Sequence, residues 1–271
     1  MTMAIRVCVA GATGWAGGAV VKAILQAPEF ELSGAIARRT AGEDIGRVLG
    51  LSPAGIRIAS TLEEALARPT DVLLDYTKPD SVKARTIEAL RRGLRVVIGT
   101  SGLTVGDYQE IGQEATARKL GVVAVGNFSI TAALAKHFAL FAARHLPSWE
   151  VLDYAHADKP DAPSGTVREL AEELAGAGRN QLGLPIEQIQ GDKQTRGASI
   201  AGTQVHSIRL PSYVISFETI FGLPDERLTI RHDAGVGAGP YVNGTLLALR
   251  EVMRISGLVR GLDRLLFREK Q

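Results

Sequence analysis

Cysteine is nearly absent from this sequence, and that scarcity limits the class of protein. The single cysteine, Cys8, lies in an apolar run and has no second thiol for an internal disulfide. Disulfides belong to oxidising compartments, so the composition favours a reducing, cytoplasmic setting. The five histidines and one cysteine show no metal-ligand spacing, so no metal site is predicted.

Long hydrophobic runs and a strong net charge are missing as well. No stretch approaches the roughly 20 apolar residues that span a bilayer. Residues 1–6 lack the pattern of a secretory signal, because the apolar run at 7–10 breaks at once into glycine. The net charge of +2 is too small to favour nucleic acid or a membrane surface. A small molecule is therefore the expected partner.

Glycine is abundant, and its first cluster predicts a dinucleotide-binding loop. A short β-branched run at 5–10 precedes the cluster and a helical pattern at 19–27 follows it, which is the context that such a loop needs. The spacing is G-x-x-G-x-x-G, with glycines for a tight turn, for approach to the pyrophosphate and for helix packing. A merely glycine-rich turn is the alternative. The predicted cofactor-binding residues of this loop are Gly11, Ala12, Thr13, Gly14, Trp15, Ala16 and Gly17.

The second strand, predicted at 31–37, ends in Arg38 and Arg39. In folds that prefer NADH, an acidic residue at this place binds the ribose 2′-hydroxyl, whereas an arginine accommodates a 2′-phosphate. Both arginines are therefore predicted cofactor residues. The sequence favours NADPH, with NADH as a possible second cofactor. The alternative is that both are solvated surface side chains.

Three further predicted strands, at 71–76, 94–98 and 121–125, end in small or polar residues. Ligands of an open parallel sheet bind just beyond the carboxyl ends of its strands. These strand ends are thus predicted to line the nicotinamide cleft. The residues concerned are Thr77, Gly99, Thr100, Ser101, Gly126, Asn127 and Phe128.

A proline-stiffened loop at 156–166 carries the candidate chemistry, and a helical pattern follows it at 167–175. Backbone N–H groups at a helix start lack intrahelical partners and favour an anion. A lysine in this loop can supply charge and a proton, and a histidine changes its charge near neutral pH. The alternatives are that the flanking Asp158 and Asp161 only form surface ion pairs with the lysine, and that the histidine is an ordinary strand-end residue. The predicted catalytic residues are Lys159 and His156, and the predicted substrate-binding residues are His156, Lys159, Ser164, Gly165 and Thr166.

The pattern changes after residue 129, and two domains are expected. The first is a Rossmann-like α/β domain with a parallel sheet, formed by 1–129 plus 241–271; the second is an α+β substrate-binding and oligomerisation domain at 130–240 with an open mixed or antiparallel sheet. Three strand-like runs of the second domain predict an antiparallel meander. The predicted elements after residue 129 are a helix at 131–145, strands at 149–156, 199–210, 213–222 and 226–232, an irregular stretch at 179–196, and helices at 242–256 and 258–266.

Six motifs in their order along the chain resemble the 4-hydroxy-tetrahydrodipicolinate (dihydrodipicolinate) reductase family. The motifs are VAGATGWAG (9–17), DYTKP (75–79), GTSG (99–102), GNFS (126–129), KPDAPSGT (159–166) and LTIRHDA (228–234). The resemblance covers nearly the whole chain, and the K-x-D-A-P-S-G-T string is its most specific part. It implies NAD(P)H-dependent reduction of 4-hydroxy-tetrahydrodipicolinate to tetrahydrodipicolinate in the diaminopimelate route to lysine. It also implies a homotetramer built through the open sheet.

The resemblance also implies residue roles, and the sequence departs from the family pattern at several positions. Lys159 matches the family's proton donor, and Arg38 matches its basic residue after the second strand. Ala155 replaces the first histidine of a His-His pair, and Trp15 replaces the arginine of the glycine loop. Gly237 lies where the family has an arginine that helps to hold a substrate carboxylate. Thr131-Ala132 replaces a Gly-Val pair.

These departures keep three hypotheses open. The first is a true 4-hydroxy-tetrahydrodipicolinate reductase with a trimmed site. The second is a same-fold imine reductase or amine dehydrogenase that acts on another substrate. The third is a catalytically silent nucleotide-binding protein, against which the retained Lys159 and the 164–166 helix start count, because such a protein has no chemical need for them.

Overall fold

The computed structural model describes residues 3–268, which form two compact units. The first unit contains the described residues up to Ile130 and those from Ala238 onward, and the second contains Thr131–Gly237. Each unit has its own sheet and its own hydrophobic core. The expected fold class, a Rossmann-like parallel sheet plus a second, mixed sheet, is confirmed.

Twelve strands and nine α-helices make up the regular structure of residues 3–268. The strands are β1 (Ile5–Ala10), β2 (Phe30–Ile36), β3 (Ile58–Ala59), β4 (Val72–Asp75), β5 (Arg95–Ile98), β6 (Gly121–Ala124), β7 (Trp149–Ala155), β8 (Ala198–Ile200), β9 (Thr203–Arg209), β10 (Ile215–Leu223), β11 (Glu226–Ala234) and β12 (Gly257–Arg260). The helices are α1 (Trp15–Gln26), α2 (Ile45–Val48), α3 (Leu62–Ala65), α4 (Pro79–Arg91), α5 (Val105–Ala117), α6 (Ile130–Ala142), α7 (Gly165–Ala177), α8 (Gly239–Glu251) and α9 (Leu262–Leu266). Short 3-10 turns lie at Ile186–Gln188, Lys193–Arg196 and Val252–Arg254.

The sheet of the first unit has seven parallel strands in the order β12-β6-β5-β4-β1-β2-β3. Its central strands are runs of buried Val, Leu and Ile, as expected where helices cover both faces. Parallel strands bring all their carboxyl ends to one edge. The predicted cofactor residues follow β1, β2, β4, β5 and β6 and therefore share that edge.

The prediction of a helix over 258–266 is wrong in its first half. Residues Gly257–Arg260 form β12, which pairs in parallel with β6. Two glycines with positive φ, Gly257 (+88°) and Gly261 (+92°), bracket this strand. A left-handed residue interrupts a helix, and the branched Val259 between the glycines favours extended backbone. The helix α9 begins only at Leu262.

The predicted meander of the second unit is wrong in its connectivity. The strand order is β11-β10-β7-β9-β8, so β7 lies between β9 and β10 and pairs with β9 in parallel. The run predicted as one strand at 199–210 is a hairpin of β8 and β9. It turns at Ala201 and Gly202, both with positive φ. Residues of the predicted irregular stretch supply the two 3-10 turns before β8.

One face of this second sheet packs against α6 and α7. Trp149, Phe217 and Phe221 from the sheet and Leu170 and Leu174 from α7 form the centre of that core. The opposite face carries every second residue of these strands, and its half-buried apolar side chains lie beside charged ones. Its apolar members include Leu152, Ile208 and Ile220. Within residues 3–268, no helix has both the length and the apolar character needed to cross a membrane.

Candidate active site

The glycine loop of the first unit has the shape that a dinucleotide requires. Gly11 has φ +79°, and a Cβ there would lie 2.4 Å from the Tyr76 carbonyl oxygen. A Cβ on Gly17 would lie 2.1 Å from the Gly11 carbonyl oxygen. A side chain at either position would therefore force the turn apart.

Helix α1 begins at Trp15, four residues before the predicted start at 19. The predicted loop residues Trp15, Ala16 and Gly17 are thus the first turn of the helix, where N–H groups lack intrahelical acceptors. The N-cap is Gly14, which has no side chain that could accept these N–H groups. Ala12 is buried, and Thr13 is half-buried at the turn. A helix start of this kind binds a phosphate, so the loop fits a pyrophosphate.

Trp15 presents an aromatic ring beside this helix start. Its side chain is 58% exposed, although indole rings are usually well buried. The ring stands edge-on to Tyr241 of α8, with 5.4 Å between the ring centroids. An arginine at the family position would offer charge, whereas this pair offers an apolar, aromatic surface.

Arg38 and Arg39 are both exposed and lie directly after β2. The next residue, Thr40, has a buried hydroxyl without a hydrogen-bond partner among the described residues. Three polar groups thus follow β2, and none of the three is acidic. The turn after β2 therefore offers two cations and a hydroxyl, and no carboxylate, to a ligand.

Thr77, after β4, is held by a buried ion pair. Asp75 is fully buried, and its carboxylate lies 2.5 Å from Nη1 of Arg85. The Thr77 hydroxyl donates to Asp75 Oδ1 (2.5 Å) and accepts from Arg85 Nη1 (2.9 Å). The Thr77 N–H also donates to Asp75 Oδ1 (2.9 Å). The Thr77 hydroxyl and N–H are therefore committed to this network.

Gly99 and its neighbours pack against the ring of Tyr76. A Cβ on Gly99 would lie 2.3 Å from Cε1 of Tyr76, so only glycine fits there. The buried Thr100 donates its hydroxyl to the Asp75 carbonyl (3.3 Å), whereas Ser101 is exposed. Ser101 is therefore the member of this strand end that is open to a ligand.

The third strand end, after β6, is ordered by its own side chains. Gly126 is exposed, and Asn127 Oδ1 accepts the N–H of Ser129 (2.9 Å) in a local turn. Phe128 is buried, and its ring centroid lies 5.7 Å from that of Tyr76. The predicted residues after β4, β5 and β6 thus meet around one tyrosine.

Helix α8 also contacts this cluster, and the sequence did not indicate that contact. Thr245 donates its hydroxyl to the Tyr241 carbonyl (2.7 Å), so the Tyr76 hydroxyl is the donor in its 2.6 Å contact with Thr245. A Cβ on Gly244 would lie 1.9 Å from the Phe128 carbonyl oxygen. The predicted helix at 242–256 contained Gly244 and Thr245, but nothing in its periodicity indicates that they contact residues so distant in sequence.

In the second unit, the loop after β7 contains Asp158 and Asp161, and only one of them pairs with Lys159. Lys159 Nζ lies 2.6 Å from Asp161 Oδ1, whereas Asp158 contacts His156 instead, with its carboxylate 3.4 Å from Nδ1. Partial burial opposes ionisation of Asp161, but the hydrogen bond and charge of Lys159 outweigh it and lower the pKa of Asp161. The side chain of Lys159 is 27% exposed and that of His156 is 48% exposed. Both can therefore reach a ligand from solvent.

Ser164, Gly165 and Thr166 form the start of α7, which begins two residues before its predicted position. Ser164 is the N-cap, but its side-chain oxygen accepts no N–H from the helix, and its hydroxyl donates instead to Asp153 Oδ1 (2.7 Å). Its N–H donates to Asp153 Oδ2 (2.9 Å). Gly165 is exposed and Thr166 half-buried, so the first turn of the helix is open to an anion.

The positions that depart from the family pattern have distinct environments. Ala155 has no exposed surface, so a larger side chain there would need its neighbours to move. Residues 235–237 are exposed and carry no cation. His232 is buried and stacked on Phe217, and burial lowers its pKa. His206 lies 2.7 Å from Glu150. Both histidines lie in the second sheet and contact its other residues.

Two family models together match almost the whole chain. The model described as dihydrodipicolinate reductase, N-terminus, matches residues 5–128, and the model for its C-terminus matches residues 128–266. The 4-hydroxy-tetrahydrodipicolinate reductase of Moorella thermoacetica is 39% identical over 268 residues, with 98% of this chain and 99% of the relative covered. That of Synechococcus elongatus is 37% identical over 274 residues, with 98% and 100% covered.

A solved structure agrees with this assignment. Dihydrodipicolinate reductase from Paenisporosarcina sp. TG-14, solved with dipicolinate bound, has a TM-score of 0.82 to this chain at 32% identity. The match covers 97% of this chain and 99% of that one. The family models and this structure thus match both units of the chain, and the chain belongs to the dihydrodipicolinate reductases.

Proposed function

We propose that this protein reduces 4-hydroxy-tetrahydrodipicolinate to tetrahydrodipicolinate with NAD(P)H, in diaminopimelate and lysine biosynthesis. The observation that carries the proposal is the loop after β7, which sets a solvent-accessible lysine beside an open helix start. In the overall reaction, a ring C–O bond breaks and a C–H bond forms. One hydride and one proton are consumed, and one water is released.

The loop supplies what a dicarboxylate ring needs. Lys159 pairs with a substrate carboxylate and provides the proton, which releases Asp161 from its ion pair. His156 adds a second hydrogen-bonding group. Ser164, Gly165 and Thr166 bind a carboxylate at the helix start. General acid help of this kind is worth about 10²–10⁴-fold in rate.

The first unit would hold the cofactor, which supplies the hydride when bound. The helix start at Trp15–Gly17 receives the pyrophosphate, and the strand ends after β5 and β6 receive the nicotinamide. Arg38 and Arg39 receive a 2′-phosphate, which is why NADPH is the preferred cofactor. NADH binds more weakly because both arginines then lack an anionic partner.

A homotetramer formed through the second sheet fits the exposed surface of that unit. The sheet face opposite α6 and α7 carries half-buried Leu152, Ile208 and Ile220. Obligate interfaces are more apolar than ordinary surface. A cytoplasmic location accords with the lone, buried Cys8.

One observation favours a second candidate, a same-fold imine reductase or amine dehydrogenase. The enclosed Ala155 and the cation-free loop at 235–237 remove two groups that the family pattern supplies for its ring dicarboxylate. A substrate with one carboxylate needs fewer such groups. The retained Lys159 loop favours the dicarboxylate.

Anaerobic NADPH oxidation with freshly generated 4-hydroxy-tetrahydrodipicolinate, beside a panel of cyclic imines, decides between these candidates. We expect turnover with the former, and Lys159→Ala should lower kcat by about 10²–10⁴-fold while NADPH affinity stays unchanged. Turnover of the imines alone would eliminate the dicarboxylate. An equal loss of kcat and NADPH affinity in Lys159→Ala would make the lysine structural.

A further inference from the structure

The carboxylate of Asp153 is the most highly coordinated acidic group of the second unit. Asp153 lies near the end of β7 and has no exposed surface. It accepts hydrogen bonds from Arg209 Nη2 (2.6 Å), from the Ser164 hydroxyl (2.7 Å) and N–H (2.9 Å), and from the Ser207 hydroxyl (3.2 Å). Both oxygens are thereby occupied, and they fix the residue at which α7 begins.

Arg209, at the end of β9, holds the same loop at a second point. Its Nη2 also donates to the carbonyl of Asp161 (2.8 Å), while Nη1 donates to the carbonyls of Asp153 (3.3 Å) and Ile208 (3.0 Å). Its side chain is only 17% exposed. The guanidinium is therefore turned toward the loop and the strands rather than toward solvent.

The two residues together bracket Lys159. Arg209 holds Asp161, which is the ion-pair partner of Lys159, and Asp153 holds Ser164 at the far end of the loop. Loop and helix start are thus fixed to two neighbouring strands, β7 and β9, which pair in register at Asp153 and Ser207. A rigid support of this kind is what sets the position of a proton donor.

The opposite charges of Asp153 and Arg209 give these two residues a second role. A buried carboxylate next to a helix start opposes the binding of an anion there, because like charges repel through a low-dielectric interior. Arg209 cancels that charge at 2.6 Å. Without the arginine, Asp153 would be both uncompensated and close to the anion site.

We propose that Asp153 and Arg209 are positioning residues for the Lys159 loop: they fix the loop and the start of α7, and Arg209 neutralises Asp153 so that this helix start accepts a dicarboxylate. The inference rests on the proposed function, since it assigns the anion at α7 to the ring substrate. It adds two residues that touch neither reactant and act through Ser164 and Asp161.

Dipicolinate binding to the full chain, measured by calorimetry with NADPH present, tests this independently of turnover. Arg209→Gln should weaken dipicolinate about 10- to 100-fold and raise the KM of the ring substrate, because a small misplacement has effects of that size. The NADPH Kd should not change, since the predicted cofactor residues all lie in the other unit. Arg209→Lys, which keeps the charge but loses the fork, should fall between. Asp153→Asn combined with Arg209→Gln should bind dipicolinate better than Arg209→Gln alone.

Lys136→Met is the matched control. Lys136 is a nearly buried cation of the same unit and pairs with Glu169 (3.0 Å) and Glu173 (2.9 Å) of α7. The Lys136→Met substitution should lower Tm and leave dipicolinate affinity unchanged. Equal weakening in both variants would show that Arg209 only supports folding, which overturns the proposal, as would wild-type affinity in Arg209→Gln.

Amide hydrogen exchange keeps the two proposals separable. Faster exchange at residues 157–166 in Arg209→Gln, with unchanged exchange in α6, supports the positioning role even if wild-type protein neither reduces the hydroxy-substrate nor binds dipicolinate. Unchanged exchange in that loop overturns the positioning role, whatever the turnover. Failure of wild-type turnover alone removes only the proposed substrate.

Discussion

Arg38 and Arg39 are adjacent, exposed and of equal charge, and we propose Arg38 as the residue that binds a 2′-phosphate. We expect Arg38→Ala to weaken NADPH binding by about 10- to 100-fold, since a hydrogen bond to a charged group contributes roughly 1.5–3 kcal/mol. NADH affinity should stay constant because it has no 2′-phosphate. Fluorescence titration of each cofactor measures both values.

A control arginine in the same unit separates specific from general charge effects. Arg118 is exposed at the end of α5 and pairs with Glu114 at 2.7 Å. Arg118→Ala should leave both cofactor affinities unchanged. If Arg38→Ala weakens NADH as much as NADPH, the 2′-phosphate assignment is wrong.

Ser164 shows how much of the candidate site can be predicted from the sequence at the scale of single residues. The string around it predicts the residue types, the loop and the helix start, all of which are local properties. It gives no sign that the Ser164 hydroxyl is donated to Asp153 or that Arg209 joins them. Asp153 lies 11 residues from Ser164 and 56 residues from Arg209 in sequence, and only strand pairing brings the three together.

At the scale of elements, α8 ties the three strand ends of the cofactor side to one helix. Thr245 is fully buried and is the acceptor for the Tyr76 hydroxyl. Thr245→Val keeps the shape but leaves the Tyr76 hydroxyl without its acceptor and removes the side-chain hydrogen bond to the Tyr241 carbonyl. We expect the free energy of unfolding to fall by about 1–3 kcal/mol, and NADPH affinity to fall with it. Urea unfolding and cofactor titration measure the two effects.

Two further variants test whether the bond itself is responsible. Thr245→Ser retains the hydroxyl and should recover most of the NADPH affinity. Tyr76→Phe combined with Thr245→Val should cost less than the sum of the single changes, because both remove one interaction. Strict additivity would mean that the two residues act separately.

The elements also show where sequence patterns succeed and where they stop. Buried β-branched runs are local signals, so the strands β1, β2 and β4–β6 match the predictions within a few residues. The order of strands is not local. The chain between β7 and β9 contains α7 and returns so that β9 pairs with β7 in parallel, and no turn residue in the sequence indicates this pairing.

At the scale of the whole molecule, Cys8 offers a single reporter of folding. It is fully buried in β1, and burial raises the pKa of its thiol to about 12. The thiolate is the reactive form, so the native protein should resist a thiol reagent at about pH 8. Because the folded pKa is the higher one, this thiol stabilises the fold below its unfolded pKa and loses that effect as pH rises toward the folded value.

Labelling at increasing urea concentration measures this behaviour. The rate at Cys8 should follow unfolding of the first unit, and NADPH should slow it by mass action. Fast labelling in the absence of denaturant would show that β1 opens locally. A ring dicarboxylate added alone should have little effect on the rate, since its proposed ligands lie in the second unit.

The first unit is discontinuous, and this fixes when during synthesis it can be finished. A nascent chain of 130 residues already contains β1–β6 and the glycine loop, yet β6 still lacks β12 and Tyr76 lacks Thr245. Thr245 lies 169 residues after Tyr76, so both Thr245 and β12 are translated only after the entire second unit. Long-range closure of this kind is slow and comes late. The ribosome therefore delivers the loop at 156–166 before the strand ends of the first unit are complete, and we expect dinucleotide binding to begin only after α8 and β12 have been translated.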